Sequence, residues 1–409
     1  MQPGLLFCLL LLSLQAAGLP QHQQPRRTKK RVRELPIAST AAPSSQNFTF
    51  DLYRALAAAG PNQNIFFSPL SISMTLALIS LGARSHTKAQ ILEGLGLTVQ
   101  GAPEEAALHR GFHHLLQAFR QPREDLQLSL GNALFVEPTV PVQDTFLSAV
   151  KTLYLADTFL TNFSEPEVAK KQINDYVAQQ TGGKIVDLVS ELDSSEIMVM
   201  VNYIFFKAKW QTSFDPKNTR KLDFHVTSET VVQVPMMRCE DEYYYYLDRN
   251  LYCRVVGVPY QGNATALFIL PNEGRMEKVE AGLNQETLRK WLKKFTKRKL
   301  YLYLPKFSME GSYQLQKVLP MLGIRDLFTM QADLTGFTDH PNIQVSKMVH
   351  KAMVEVDESG TKAAAAMATI VAFRSAFQHS PVVLFNRPFL MVIVENTENI
   401  LFLGKVTQP

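Results

Sequence analysis

Apolar residues follow two spacings along this chain. Over Phe48–Ala59, Ser71–Leu81, Thr87–Leu95 and Glu104–Arg120 they recur at helical spacing, which predicts four helices in the first third. Leu300–Leu304 alternates apolar and aromatic positions with period two and reads as a strand. Ala266–Leu270 and Leu390–Val394 are continuously apolar, as strands covered on both faces are. Helices grouped early and strands later suit an α+β fold. No internal repeat interrupts this order.

One predicted helix carries more than a core stripe. In Leu288–Leu300, Leu288, Trp291, Leu292 and Phe295 fall at i, i+3, i+4 and i+7, the buried side of an amphipathic helix. Lys290, Lys293, Lys294, Lys297 and Arg298 then occupy the opposite side, with Arg289 and Lys299 at its edges and no acid among them. A solvated helix face usually mixes signs. A face of one sign attracts a polyanion, and for a secreted chain that means heparin or a related glycosaminoglycan rather than nucleic acid. Anionic lipids are a further partner class for the same cations.

Composition refines this picture modestly. With 409 residues, 46% hydrophobic and 19% charged, the chain has ample material for a core, and length alone allows two or three domains. Net charge is only +5, so attraction for polyanions is local to the basic patches. Leu5–Leu14 is an apolar run followed by small residues, which reads as a secretory signal ending near residue 19 and too short to span a membrane. Residues 20–46 then form a flexible basic arm holding Arg26, Arg27, Lys29, Lys30, Arg31 and Arg33. Sequons at Asn47, Asn162 and Asn263 agree with a secretory route. Cys8 leaves with the signal; Cys239 and Cys253 remain as free thiols, or as a disulfide across a hairpin.

Conventional catalytic chemistry is absent. No nucleophile elbow, phosphate loop, Cys-x-x-Cys or His-Glu-x-x-His occurs. His109 and His113 stand four apart, but no third ligand accompanies them, so they decorate a helix and no metal site is expected.

The stretch from Glu358 to Ser375 has the most distinctive composition. Gly360, Thr361, Ala363, Ala364, Ala365 and Ala366 are small enough to enter a packed sheet, and Thr369, Ile370 and Val371 suit a strand. Arg374 then presents the long cation that trypsin-like proteases take before a scissile bond, here Arg374–Ser375. A plain alanine-rich helix is the other reading of the same run.

Its company decides between them. Asn64–Ser73, Val201–Trp210, His350–Gly360, Phe385–Val394 and Ile400–Val406 together resemble the serpin family of serine protease inhibitors, with matching blocks from about Phe48 to the C-terminus. The resemblance implies one domain over 47–409, with about nine helices around three sheets and an exposed reactive-centre loop at about 358–380. It implies no enzyme but a monomeric, stoichiometric suicide substrate: a protease acylates itself at Arg374, the loop inserts into the central sheet, and the trapped enzyme is distorted. Glu358, Gly360 and Thr361 match the inhibitory hinge, and Ala363, Ala364, Ala365 and Ala366 match its small-residue run; Ser359 and Met367 are less usual there. Ser68, Ser71, Asn202 and His350 are implied as a polar cluster beneath the opening sheet, and Trp210 as lying where the loop first enters. Trypsin-like proteases of clotting, kinin release, fibrinolysis and reproduction are the implied targets, among them activated protein C, thrombin, kallikreins, plasminogen activators and acrosin. Two alternatives stay open: Phe373 as the bond chosen by chymotrypsin-like enzymes, and a noninhibitory carrier of an apolar ligand.

Overall fold

The four early helices form close to where the spacing predicts them. In the computed structural model, which describes residues 46–97, 101–359, 380–395 and 399–409, the chain begins with α1 (Gln46–Ala59), β1 (Ile65–Phe67), α2 (Pro69–Ser80), α3 (Ser85–Gly94) and α4 (Ala102–Arg120). It continues through β2 (Leu126–Val136), α5 (Asp144–Tyr154), β3 (Asp157–Leu160), α6 (Pro166–Gln180), β4 (Met198–Ala208), β5 (Arg220–His225), β6 (Val231–Asp248), β7 (Cys253–Pro259) and β8 (Ala264–Pro271). Then come α7 (Met276–Gly282), α8 (Gln285–Lys294), β9 (Thr296–Pro305), β10 (Phe307–Gln314), α9 (Leu315–Val318), β11 (Lys347–Val356), β12 (Val382–Leu384), β13 (Phe389–Glu395) and β14 (Asn399–Val406). Among the described residues no helix is long and apolar enough to cross a membrane.

Helix α2 is buried on every side, which is why its sequence is apolar all round rather than striped. Ser68 caps it, its side chain accepting from the Ser71 N–H, and Pro69 occupies the first turn where no amide donor is needed.

A five-stranded sheet runs β10-β11-β4-β2-β3. Strand β4 is buried on both faces. Its Val199, Val201, Tyr203 and Phe205 pack with Ile173 and Val177 of α6, while Met198, Met200, Ile204 and Phe206 join the main core with α2 and β14. The other nine strands form one continuous network, β1-β14-β13-β8-β7-β6-β9-β12, with β5 also on β6. Two of the three expected sheets are therefore joined, because the 18-residue β6 pairs with β5 at its start, with β9 along its middle and with β7 at its end.

The main correction to the sequence reading falls at Leu288–Leu300. The helix ends at Lys294, and Phe295 turns to extended backbone with φ −57° and ψ 135°. Thr296–Leu300 then pairs with Tyr245–Asp241 of β6, and the Phe295 ring lies 5.8 Å from that of Tyr244. Helical spacing continued across this junction by coincidence, and strand pairing overrode it.

Candidate functional site

Strand β11 leads directly to the last residues described before the loop. It lies parallel to β4, with Lys347–Val354 opposite Val199–Phe206. Where β11 ends, ion pairs gather. Lys207 Nζ reaches Glu355 at 2.7 Å and Asp357 at 2.8 Å, and Lys184 holds the other Glu355 oxygen at 2.6 Å. Burial opposes ionisation of Glu355 and Asp357, but the ammonium bonds outweigh it and hold both carboxyls below their usual range. Glu358, itself buried, accepts from Lys306 at 2.7 Å and Thr219 at 2.8 Å, and these bonds likewise outweigh desolvation. Trp210 donates its indole N–H to the Asp357 carbonyl at 2.8 Å while its ring stacks on Tyr260 at 4.2 Å. Trp210 is thus both core and anchor of the segment that precedes the loop.

Beneath the sheet, polar side chains occupy one transverse row across four strands. Tyr313 of β10 faces His350 of β11, His350 faces Asn202 of β4, and Asn202 faces Asn132 of β2. His350 Nε2 accepts the Ser68 N–H at 3.1 Å, so Nδ1 carries the proton and donates to the Asn202 carbonyl oxygen. Asn202 donates to Ser71 Oγ at 2.6 Å and to Asn132 Oδ1 at 2.8 Å. Complete burial pushes the His350 pKa down to about 3, so the ring is neutral. Ser68, Ser71, Asn202 and His350 therefore meet as the resemblance implied. Asn132 and Tyr313 complete the row, Thr75 of α2 bonds Asn132 from below, and none of the three was read from sequence; the Tyr313 ring stacks on His350 at 6.5 Å.

The seven cations divide between two elements. Arg289, Lys290, Lys293 and Lys294 lie on α8, whereas Lys297, Arg298 and Lys299 lie on β9. Lys290 is committed to the buried Asp248 at 2.6 Å, which also accepts the Trp291 indole at 2.8 Å. Desolvation would raise the Asp248 pKa, but these two bonds hold it low. Lys299 pairs with Glu240 at 3.4 Å. Lys297 and Arg298 lie over Tyr244 and Tyr245 at 5.7 and 5.5 Å. Lys293, Lys294, Lys297 and Arg298 are exposed, and Lys297 and Arg298, as neighbours on a strand, point to opposite faces of it, so the seven cations do not form the single helical face the spacing predicted.

The three sequon asparagines are exposed. Cys239 and Cys253 are free; Cys253 faces Asp248 and Cys239 faces Leu302, which separates them by on the order of 30 Å along β6. His109 Nδ1 bonds the Tyr154 hydroxyl at 2.6 Å and His113 the Leu153 carbonyl at 3.1 Å, so the two imidazoles serve separate partners on α5. Of the expected hinge, only Glu358 is placed by the structure. Gly360, Thr361, Ala363, Ala364, Ala365 and Ala366 lie outside the described residues, as do Phe373, Arg374, Ser375, the N-terminal signal and the arm up to residue 45, whereas Gln46, expected as the arm's last residue, opens α1.

Strand β11, lying parallel to β4, runs on in sequence towards the small residues that begin at Gly360. The family description Serpin (serine protease inhibitor) matches residues 43–409. The chain belongs to the serpin family of serine protease inhibitors. It is 67% identical over 410 residues, the whole of both chains, to the human plasma serine protease inhibitor, and 58% identical over 404 residues, 99% of both, to the mouse protein of that name. Among solved structures, human glycosylated kallistatin matches with a TM-score of 0.82 and 45% identity over 90% of this chain and 97% of its own. Human thyroxine-binding globulin complexed with thyroxine matches with a TM-score of 0.83 and 40% identity over 90% and 98%.

Proposed function

We propose that this chain is a secreted, heparin-binding suicide inhibitor of trypsin-like serine proteases, with Arg374–Ser375 as its scissile bond. The protease serine Oγ attacks the Arg374 carbonyl, an ester forms, and the Ser375 amine leaves with a proton. The freed loop turns back from β11 and enters between β11 and β4. It then runs antiparallel to both, replacing one parallel ladder by two antiparallel ones. The parallel register of β11 and β4 carries this reading, because only a same-way pair accepts a returning loop antiparallel on both sides.

Small hinge residues let the loop enter without overfilling the sheet. They also favour inhibition over the carrier reading, for which thyroxine-binding globulin is the structural relative. The polar row beneath the sheet supports the same reading: its hydrogen bonds between β11 and β4 can be exchanged for others, which an interlocked apolar seam cannot do. Activated protein C, thrombin, kallikreins, plasminogen activators and acrosin are the candidate targets, and the α8–β9 cations are the candidate glycosaminoglycan and anionic-lipid surface.

Mixing the purified protein with trypsin, followed by denaturing electrophoresis and mass spectrometry, tests the core of this function. The expected product is a covalent complex with a released peptide beginning at Ser375. Clean cleavage without a complex supports the carrier reading instead, and a peptide beginning at Arg374 moves the bait residue to Phe373.

A further inference from the structure

The sheet has an unfilled strand position at its far edge. Strand β3 pairs only with Ala133–Val136 of β2, so among the described residues Leu126–Asn132 has a strand partner on the β4 side alone. The chain cannot extend β3 to cover the rest. Leu155, in left-handed backbone with φ 49° and ψ 32°, ends α5 and delivers the chain to the sheet only at Asp157, opposite Ala133. A cavity of about 660 Å³ lies beside the uncovered half of β2. Tyr176 and Gln180 of α6 bound it from one face of the sheet, and Phe119, Lys151 and Leu155 from the α4–α5 side. Helices therefore floor and roof the space where the missing strand would lie.

The lining specifies what fits. Leu126, Leu128 and Leu130 alternate with Gln127 and Ser129, so an added strand meets an apolar strip on one side and polar groups on the other. At the mouth, Arg120 and Lys151 are exposed and make no ion pair among the described residues, Arg120 donating one guanidinium N–H to the Leu155 carbonyl at 2.9 Å, whereas Arg123 is held by Asp125 at 2.6 Å. Asp157 accepts from Tyr176 at 3.0 Å and is the one carboxylate lining the cavity. The basic arm over residues 20–46 carries the wrong sign to fill this mouth.

We propose that the open edge of β2 at Leu126–Leu130 is a docking site for an extended, acidic segment of a partner protein, which adds as a further strand and sets its carboxylates against Arg120 and Lys151. Uncovered edges of this kind are templates for β-augmentation: main-chain hydrogen bonds supply affinity and alternate side chains supply selectivity. The site is remote in sequence from the hinge and does not depend on the inhibitory reading.

A fluorescein-labelled hexapeptide of alternating Glu and Val is the probe, titrated by anisotropy against the full chain. Saturable binding is expected, with the amides of Leu126–Asn132 exchanging at least about tenfold more slowly in the complex. Methylating alternate peptide nitrogens on the pairing side should abolish binding, and the Lys–Val peptide should bind about tenfold more weakly. Arg120→Glu with Lys151→Glu should reverse that charge preference while the thermal melt stays cooperative with the parent's midpoint to within a few degrees, which shows the variant folded. Equal binding of the methylated peptide, tighter binding of the Lys–Val peptide, or no saturation by about 1 mM overturns the proposal.

Discussion

His350 can accept the Ser68 N–H only while its ring is neutral, because protonation would turn Nε2 from acceptor to donor. Its folded pKa lies near 3, below the ordinary value of 6.5, so the sign of the linkage is fixed. Above pH 6.5 neither folded nor unfolded imidazole binds a proton and the contribution is flat. Between about 6.5 and 3 the unfolded chain takes up a proton that the folded chain excludes, and stability falls by about 1.4 kcal/mol per pH unit from this group. His350→Gln should therefore lessen the acid sensitivity of the urea midpoint over that window while leaving an amide to bond Asn202; identical pH profiles would refute it. Asn202→Ala should cost about 1–3 kcal/mol at neutral pH, because the His350 Nδ1–H and Asn132 would lose a buried partner. Individual members of this row were named through a family likeness and not by physical necessity. Asn132, Thr75 and Tyr313 are ordinary residues in their local sequences; the register of four strands brings Asn132 and Tyr313 into the row, and the packing of α2 beneath the sheet brings Thr75 to Asn132.

Elements reveal what holds the loop's root in place. Lys207 on β4 clamps Glu355 near the end of β11 and Asp357 just past it, and Lys306 neutralises Glu358. Lys207→Met should free this end of β11 and speed spontaneous loss of inhibitory activity on incubation at raised temperature, with Lys306→Met weaker because that ammonium is more exposed. Unchanged decay rates would show that the clamp does not restrain β11. For the basic face, replacing Lys293, Lys294 and Lys297 with Ala should lower heparin affinity and flatten its dependence on log salt by about one unit per cation lost. Lys290→Ala should instead destabilise the fold by about 1–3 kcal/mol, since Asp248 would keep its burial and lose its cation. A heparin titration beside a thermal melt for each variant separates the two outcomes. Element type was legible wherever one face or both were apolar over a long run, as in α1, α4, β8 and β13. It was not legible at Phe295, where the apolar stripe passes from helix to strand without a break and only pairing with β6 marks the change. Nor did the sequence announce the clamp, whose lysines stand far along the chain from their carboxylates.

Over the whole molecule, the proposed insertion converts one ladder into two. With roughly 1 kcal/mol net per hydrogen bond over about a dozen residues, the cleaved form should melt higher by on the order of 10 °C. Calorimetry before and after trypsin cleavage measures this, and equal melting temperatures would mean that the loop does not enter. Thr361→Glu should yield a substrate rather than an inhibitor, because the carboxylate would have to enter the sheet without a partner. A persistent covalent complex with that variant would remove the insertion step from the mechanism. In the proposed insertion, donor segment and acceptor sheet belong to one chain, so entry would be unimolecular, its rate independent of protein concentration and its effective local concentration in the millimolar range. A free peptide copying Thr361–Ala372 must reach that range to compete, whereas strand exchange between molecules grows with concentration. Dilution should therefore spare the proposed insertion within a chain and suppress strand exchange between chains, so that the balance between the two shifts with protein concentration.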